Sequence, residues 1–211
     1  MEAIGKLCRQ YGALYCVDII QTLGVFPVDV KACGIDFLSA DSHKWLMGPE
    51  GSALFYVAKD KLPLFDDRTI GWLGRDEFWI YDQLDHKPFP SARRFEEGAP
   101  NVPGIMAMGE SLKLILSVGV DHIAAHNRAL CAVLEDGLLA QGWQVRSPRD
   151  ASASSIVSAT KDGLDYNVLA KAMMEAGPVF VVSRRGALRL SPHFYQTKED
   201  MQRAVEVLAR V

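Results

Sequence analysis

Three short apolar runs near the N-terminus constrain the fold of this chain more than any other feature. The first run extends from Ala13 to Val17 and ends at Asp18, the second from Ile35 to Ala40, and the third from Ser52 to Val57. Continuous apolar runs of this length are typical of strands that are buried on both faces. The turn-forming sequence Gly48-Pro49-Glu50-Gly51 separates the second run from the third. The pattern predicts part of an α/β layer architecture.

Helical periodicity replaces these runs from Gly104 onward. Two apolar stripes predict two helices: Ile105, Met108, Leu112, Ile115 and Leu116, then Val120, Ile123, Leu130, Val133, Leu134 and Leu138. The later elements predicted are a strand at Ser155–Ala159, a helix at Tyr166–Glu175, strands at Val179–Ser183 and Ala187–Leu190, and a capped helix from Thr197. An N-terminal helix over Met1–Tyr11 precedes the first strand, and residues 58–103 have a loop-like composition. We therefore predict two domains, residues 1–103 and a small α+β domain over 104–211.

Composition narrows the classes of function. An apolar fraction of 49% and a charged fraction of 23% are average for globular proteins, which argues against disorder and disulfide scaffolds. A net charge of −3 gives no field that would favour nucleic acid or an anionic membrane. The four cysteines have no CxxC spacing and predict mostly buried thiols in a reducing compartment. Because no apolar run reaches membrane-spanning length and no leader pattern begins the chain, we expect a cytoplasmic protein.

Lys44 is the most informative polar residue. It lies in Ser42-His43-Lys44-Trp45, directly after the second predicted strand. Open α/β sheets bind ligands at the carboxyl edge of their strands, and a buried lysine there becomes a nucleophile toward an aldehyde. The alternative is a lysine that lies along the sheet rim with its amine in water.

Asp18 ends the preceding strand, so the same edge would present a carboxylate beside the amine. A carboxylate there can hold the protonated ring nitrogen of pyridoxal 5'-phosphate (PLP), which keeps that ring an effective electron sink. Aspartate is also common as the N-cap of a helix, which is the alternative. Gln21 lies one turn further on and would reach the same crevice, although a lone glutamine is equally typical of a surface.

The order and spacing of these residues resemble the central block of the class V aminotransferases. That superfamily of fold-type-I PLP enzymes also includes cysteine desulfurases, selenocysteine lyases and isopenicillin-N-epimerase-like proteins. The matching segments are Asp18-Ile19-Ile20-Gln21-Thr22-Leu23-Gly24, Pro27-Val28-Asp29-Val30, Gly34-Ile35-Asp36-Phe37-Leu38, His43-Lys44 and Gly48-Pro49-Glu50-Gly51. The resemblance implies the C-terminal part of a mainly parallel large domain, followed by a small C-terminal domain.

The resemblance also implies a role for each cofactor residue. Lys44 would form the Schiff base with PLP, Asp18 would pair with the ring nitrogen, and Gln21 would bond the ring hydroxyl oxygen. His43 would help to hold the phosphate. The family often has a serine where this chain has Asp41 and a threonine where it has Ala99, so Ser42 is expected to supply a phosphate hydroxyl instead.

Two further segments continue the resemblance toward the C-terminus. Arg94–Asn101 looks like the segment that crosses toward the cofactor of a partner subunit, which implies a homodimer. Arg189–Thr197 looks like the motif whose arginine holds the α-carboxylate of an amino-acid substrate. A guanidinium suits that role because it offers two parallel donors, although Arg189 alone would also suit a surface strand.

The resemblance begins near the middle of a family member. The upstream half would supply a phosphate loop at a helix N-terminus and an aromatic residue that stacks on the ring. We therefore expect a truncated chain or fragment.

The function implied is that of a PLP enzyme acting on an amino acid by transamination, epimerisation or β-elimination. The alternative is a catalytically silent homologue or a dimerisation module. Residues 171–188 contain no cysteine, whereas desulfurases carry a nucleophilic cysteine shortly before the carboxylate arginine. His122 and His126 lie one helical turn apart, but without a HExxH pattern we expect no metal site.

Overall fold

The computed structural model describes residues 1–66, 70–82, 85, 87–150 and 152–211. Contacts group the chain into two units, Met1–Ser117 and Val118–Val211. The expected domain boundary between residues 103 and 104 stays a prediction.

A three-stranded sheet and two helices form the first unit. Its elements are α1 (Glu2–Gln10), β1 (Cys16–Asp18), β2 (Phe37–Asp41), β3 (Ala53–Val57) and α2 (Val102–Val118). The strand order is β1-β2-β3, with β1 parallel to β2 and β2 antiparallel to β3. The sheet of this chain is therefore mixed rather than mainly parallel, because the chain reverses through the turn at Gly48-Pro49-Glu50-Gly51.

One face of this sheet is buried more completely than the other. The covered face contributes Leu38 and Ala40 to a buried cluster that also contains Tyr15, Ile19, Cys33 and Ile35. On the other face Cys16, Asp18 and Ser39 are exposed. The expectation that the first strand is buried on both faces is thus wrong for this chain, because the ring contacts on that second face, from Phe65 to Phe37 and from Phe95 to Phe55, leave Cys16 and Asp18 exposed.

Four antiparallel strands and three helices form the second unit. Its elements are α3 (Val120–Ala140), β4 (Gln144–Val145), β5 (Val157–Thr160), α4 (Tyr166–Ala176), β6 (Val182–Arg184), β7 (Ala187–Leu190) and α5 (Lys198–Arg210). The strand order is β4-β5-β7-β6. Alternate residues of β5 and β7, namely Val157, Ala159, Leu188 and Leu190, join the helices in the core. The opposite residues of these strands are left on the other face of the sheet.

Local sequence accounts for the ends of several elements. Thr197 and Asp200 form a capping box at the start of α5, as predicted. Asp165 accepts hydrogen bonds from the backbone of Asn167 and Val168 and so caps α4. Between β3 and α2 the described residues include short 3-10 helices at Lys59–Leu64 and Ala92–Phe95 and an isolated β-bridge between Arg75 and Pro88.

No single described helix is long and apolar enough to cross a membrane. Helices α2 and α3 pass that test of length and composition only when they are taken together across the break between them.

Candidate active site

The carboxyl ends of β1 and β2 lie at one edge of the first sheet. The two strands are parallel, and Asp18, the last residue of β1, pairs with Ser39 of β2. Strand β2 ends two residues later at Asp41, and Lys44 follows in the next loop. The predicted acid and amine therefore both follow strand ends at the edge where α/β sheets bind ligands.

The carboxylate of Asp18 is held by its own turn. Its Oδ1 accepts a hydrogen bond of 2.9 Å from the Ile20 N–H, an Asx turn that directs the chain out of the strand. Turns follow instead of a helix, with the N–H groups of Thr22 and Leu23 donating to the Ile19 carbonyl. Asp18 is therefore not a helix N-cap, and its exposed Oδ2 makes no hydrogen bond or ion pair with any residue that the structure describes.

Lys44 has an anchored backbone and an exposed side chain. Trp45 and Leu46 next to it are only 5% and 2% exposed, and the Lys44 carbonyl accepts from the Met47 N–H at 3.0 Å. The Lys44 amine makes no hydrogen bond or ion pair within the described part of the chain. The expected burial of this lysine is thus absent in this structure.

Gln21 links the two loops at the sheet edge. Its side-chain oxygen accepts a hydrogen bond of 3.2 Å from the indole N–H of Trp45, the neighbour of Lys44. Gly24 brings the same loops into contact, because a Cβ on Gly24 would lie 2.8 Å from the Trp45 carbonyl oxygen. Gly24 also has a φ of 94°, which side chains rarely adopt. The segment from Asp18 to Gly24 is therefore fitted to the loop that carries Lys44.

His43 is paired with Asp41 in this structure. The His43 Nδ1 lies 3.0 Å from the Asp41 Oδ1, and both side chains are about one-third exposed. The hydrogen bond from His43 is the main cause that lowers the pKa of Asp41, so this carboxylate stays ionised. Because only an imidazolium donates from both ring nitrogens, a phosphate contact through the His43 Nε2 would require the doubly protonated ring.

Ser42 is fully buried and its hydroxyl is already bonded. The hydroxyl donates to the Pro49 carbonyl at 2.5 Å, and the backbone of Ser42 pairs with Ser52 and Gly48. A Cβ on Gly48 would lie 2.6 Å from the Ser42 Cβ, so the glycine is required for this close approach. In this chain Ser42 anchors the loop, and its expected phosphate contact stays a prediction.

The segment Arg94–Asn101, which resembles the family's crossing segment, is fixed at both ends. The Phe95 ring packs edge-on against Phe55 and Phe65. The Asn101 amide donates to the Gly51 carbonyl at 3.1 Å and accepts from the Gly104 N–H at 3.1 Å. Asn101 therefore joins the turn after Pro49 to the first turn of α2.

Arg189 lies in the second unit, on β7. It pairs with Ser158 of β5 and with Val182 of β6. The flanking Leu188 and Leu190 are buried in the core, so Arg189 lies on the opposite face of the sheet. Its Nε is buried without a hydrogen-bond partner among the described residues.

Among the described residues, the cysteines and histidines form no metal centre. Cys33 and Cys131 are buried, Cys8 is half-buried and Cys16 is exposed, so the expectation of mostly buried thiols holds for two of the four. Across the described ranges, no group of three or more His, Cys, Asp or Glu side chains could hold a metal ion. His122 and His126 instead bond the carbonyls of Val118 and Gln196.

Comparison with known proteins places the chain in a family. The model of the aminotransferase class-V family matches residues 1–204. The chain is 29% identical over 209 residues to the uncharacterized aminotransferase YcbU of Bacillus subtilis, covering 99% of this chain and 54% of that protein. It is 30% identical over 225 residues to a probable cysteine desulfurase of Pyrococcus abyssi, with coverages of 99% and 54%. The chain thus spans about half the length of the curated relatives it matches.

Solved structures agree with this assignment. The apo structure of a cysteine desulfurase from Thermococcus onnurineus superposes with a TM-score of 0.89 at 26% identity, over 99% of this chain and 55% of that one. An alanine–glyoxylate aminotransferase from Nostoc shares the fold with a TM-score of 0.76 at 18% identity, over 99% and 56%. The chain belongs to the class V aminotransferase family, whose members are PLP-dependent enzymes of fold type I.

Proposed function

We propose that this protein is a PLP-dependent enzyme that acts on an amino acid, with Lys44 as the residue that bonds the cofactor and moves the substrate α-proton. One observation carries the proposal. A carboxylate and an amine follow the carboxyl ends of two parallel strands, and neither Asp18 Oδ2 nor the Lys44 amine bonds another described residue. A carboxylate with one oxygen left unbonded and an unbonded amine at this edge fit a ligand that carries both an aldehyde and a protonated ring nitrogen.

The residues present fit PLP, and each has a defined task. Lys44 would bond the aldehyde, and Asp18 would keep the proton on the ring nitrogen. Gln21 would bond the ring hydroxyl while it stays tied to Trp45. His43 and Ser42 would contribute to the phosphate site. When bound, PLP supplies a sink for the negative charge that develops on the substrate α-carbon.

The protein groups then act on the substrate as an acid, a base and an anchor. Arg189 would hold the α-carboxylate with two parallel N–H donors. The free Lys44 amine would remove the α-proton as a general base and return it as a general acid. The position to which the proton returns selects epimerisation or transamination, and loss of a β-substituent gives elimination. We place this activity in the cytoplasm and in a homodimer, to which Arg94–Asn101 would contribute.

Exchange of the α-proton with solvent tests the proposal. In the protein at its full native length, incubated with PLP in D₂O, we expect NMR to show loss of the α-proton signal from at least one amino acid. Lys44→Ala should abolish the exchange, whereas Lys6→Ala, which removes an exposed lysine of α1, should leave it intact. Exchange at the original rate in Lys44→Ala would refute the role of Lys44. No exchange from any amino acid, together with no PLP binding, would favour the catalytically silent homologue.

A further inference from the structure

Four arginines line one concavity on the second unit. Arg146, Arg184, Arg185 and Arg189, with Ser158 and Ala187, surround a space of about 260 Å³ that we call the arginine basin. No aspartate or glutamate lines the basin. None of the four guanidinium groups makes an ion pair or hydrogen bond within the described ranges of the chain. The basin therefore concentrates positive charge that the described protein does not neutralise.

Strand register brings three of these arginines to one face of the sheet. The Arg146 N–H donates to the Ser158 carbonyl at 2.7 Å, and Ser158 pairs with Arg189. Arg189 pairs with Val182, which lies two residues before Arg184 on β6. Paired residues of antiparallel strands, and residues two apart on one strand, share a face. That face is opposite to the buried Leu188 and Leu190.

The geometry of the turn between β6 and β7 does not explain why residue 185 is an arginine. Arg185 and Gly186 connect β6 to β7 with φ values of 50° and 69°, as in a two-residue hairpin turn of type I′. Asn, Asp or Gly is preferred at both positions, because other side chains are strained at positive φ. An arginine here adds a fourth charge to the basin at the expense of turn geometry.

Repelling charges on one sheet face are stabilised when an anion binds between them. Guanidinium groups favour planar acidic groups, which they bind through paired charge-assisted hydrogen bonds. A single α-carboxylate accounts for one guanidinium, Arg189. Neighbouring strands are about 4.8 Å apart, so the backbones of Arg146 and Arg189 lie about two spacings from each other across Ser158. The long side chains of Arg146 and Arg184 can therefore reach a second acidic group on the same ligand.

We propose that the arginine basin selects amino acids with an acidic side chain, with Arg189 on the α-carboxylate and Arg146 and Arg184 on the side-chain acid. This inference rests on the proposed function, because it names the class of amino acid on which that enzyme would act. The recognition itself depends only on residues of the second unit. Arg146 and Arg184 are thus specificity residues, and they take no part in proton transfer.

Direct binding to the protein without PLP tests the basin independently of catalysis. Calorimetry on the full-length protein should show that glutarate binds at least about tenfold more tightly than its monoamide, because one charge-assisted contact is lost. Arg146→Gln and Arg184→Gln should remove this difference. Arg128→Gln, which removes an exposed arginine of α3, should preserve it. Equal binding of the diacid and the monoamide by the unsubstituted protein would overturn the proposal.

Turnover of acidic amino acids and of their amides provides a second test of the basin. We expect kcat/KM for glutamate or aspartate to exceed that for glutamine or asparagine, and Arg146→Gln to lower only the acidic values, by roughly 10- to 100-fold. Arg189→Gln should lower kcat/KM for the acids and for the amides, because both carry an α-carboxylate.

Arg146→Lys keeps the charge but loses the planar guanidinium, and partial activity in this variant would exclude misfolding as the cause. Equal losses for acids and amides in Arg146→Gln would refute the assignment. Diacid binding without PLP binding would instead refute the proposed function and leave the basin as an anion site.

Discussion

Asp18 has one carboxylate oxygen held by its turn and the other exposed. The bond from the Ile20 N–H fixes the orientation of the group without neutralising it. In the proposed site this carboxylate keeps the ring nitrogen of PLP protonated, and the ring loses most of its capacity as an electron sink when that proton is absent. In the proposed site, binding of PLP through Lys44 would not require Asp18. Binding of the cofactor and protonation of its ring can therefore be separated by mutation of Asp18.

We predict that Asp18→Ala still binds PLP but slows α-proton exchange by at least about 100-fold, the lower end of the contribution of a positioned acid–base group. The measurement is the exchange rate in D₂O, compared with PLP occupancy from absorbance. Asp29→Ala is a suitable control, because Asp29 also caps a local turn through the N–H groups of Lys31 and Ala32 but lies away from the strand ends. Equal exchange rates for Asp18→Ala and the unsubstituted protein would rule out the role.

Two of the four cysteines are poorly suited to sulfur transfer because they are buried, although several relatives are named as probable cysteine desulfurases. Burial raises the pKa of Cys131 to about 12, so almost none of it is thiolate at neutral pH. Cys33 is also buried, and residues 171–188 contain no cysteine. We predict no enzyme persulfide during incubation with cysteine and PLP. Intact-mass spectrometry that shows an added sulfur on Cys8, Cys16, Cys33 or Cys131 would contradict this prediction.

At the scale of elements, the loops after β1 and β2 are fitted to each other by a glycine. Gly24 is constrained twice, by its φ of 94° and by the Trp45 carbonyl that a Cβ would meet at 2.8 Å. Gly12 also has a positive φ, 64°, but no atom lies within 4 Å of the position its Cβ would take. Substitutions at Gly12 and Gly24 therefore distinguish the cost of backbone strain from the cost of a steric clash.

We predict that Gly12→Ala costs about 1–2 kcal/mol of unfolding free energy from strain alone. Gly24→Ala should cost about 1–3 kcal/mol more, because the loop that carries Lys44 must move to make room. Urea denaturation of the two variants, followed by the extent of PLP labelling, measures both effects. Equal destabilisation of the two variants, with unchanged labelling, would show that Gly24 does not position the lysine loop.

Most elements could be predicted from the sequence, because their apolar patterns are local. The helices of the C-terminal half and the cap of α5 follow from spacing and from Thr197 with Asp200. Strand β4 has only two residues and leaves no periodic signal. The antiparallel direction of β3 depends on how the chain turns at Pro49, which the apolar runs do not encode. The exposure of β1 depends on which elements cover the sheet, and this cannot be inferred from a single strand.

The sequence predicted the residues at the strand ends of the candidate site better than it predicted the contacts between the loops. The ends of the predicted strands indicated Asp18 and Lys44 as candidates, and their roles stay predictions. The contacts between loops, such as Trp45 to Gln21 and His43 to Asp41, involve side-chain geometry that no spacing rule provides. The arginine basin was missed because its members are scattered from 146 to 189 in sequence and meet only through cross-strand pairing. The arginine before Gly186, between two short apolar runs, was the sequence signal that could have indicated the basin.

At the scale of the whole molecule, the 211 residues leave large apolar surfaces open. On α1, Ile4 and Leu7 are 54% and 53% exposed, and on α2, Met106 and Leu116 are 67% and 70% exposed. Within the described sheet of the first unit, β1 and β3 each pair on one side only. Exposed apolar patches and open strand edges favour association with other protein surfaces.

We predict that the 211-residue chain, expressed as it stands, self-associates and binds PLP weakly. The phosphate site would depend mainly on His43, since the Ser42 hydroxyl is bonded to Pro49. Size-exclusion chromatography combined with a PLP titration provides the measurement. A monodisperse chain that binds one PLP tightly would contradict this prediction and would show that the chain builds a complete site by itself.

The proposed bond between Lys44 and the cofactor can be trapped chemically by reduction. The full-length protein would be incubated with PLP, reduced with borohydride, digested and mapped by mass spectrometry. We expect one reduced PLP adduct per chain, on Lys44, and loss of that adduct in Lys44→Ala but not in Lys6→Ala. An adduct confined to another lysine, or an unmodified Lys44 in a protein that turns over amino acids with PLP, would contradict it.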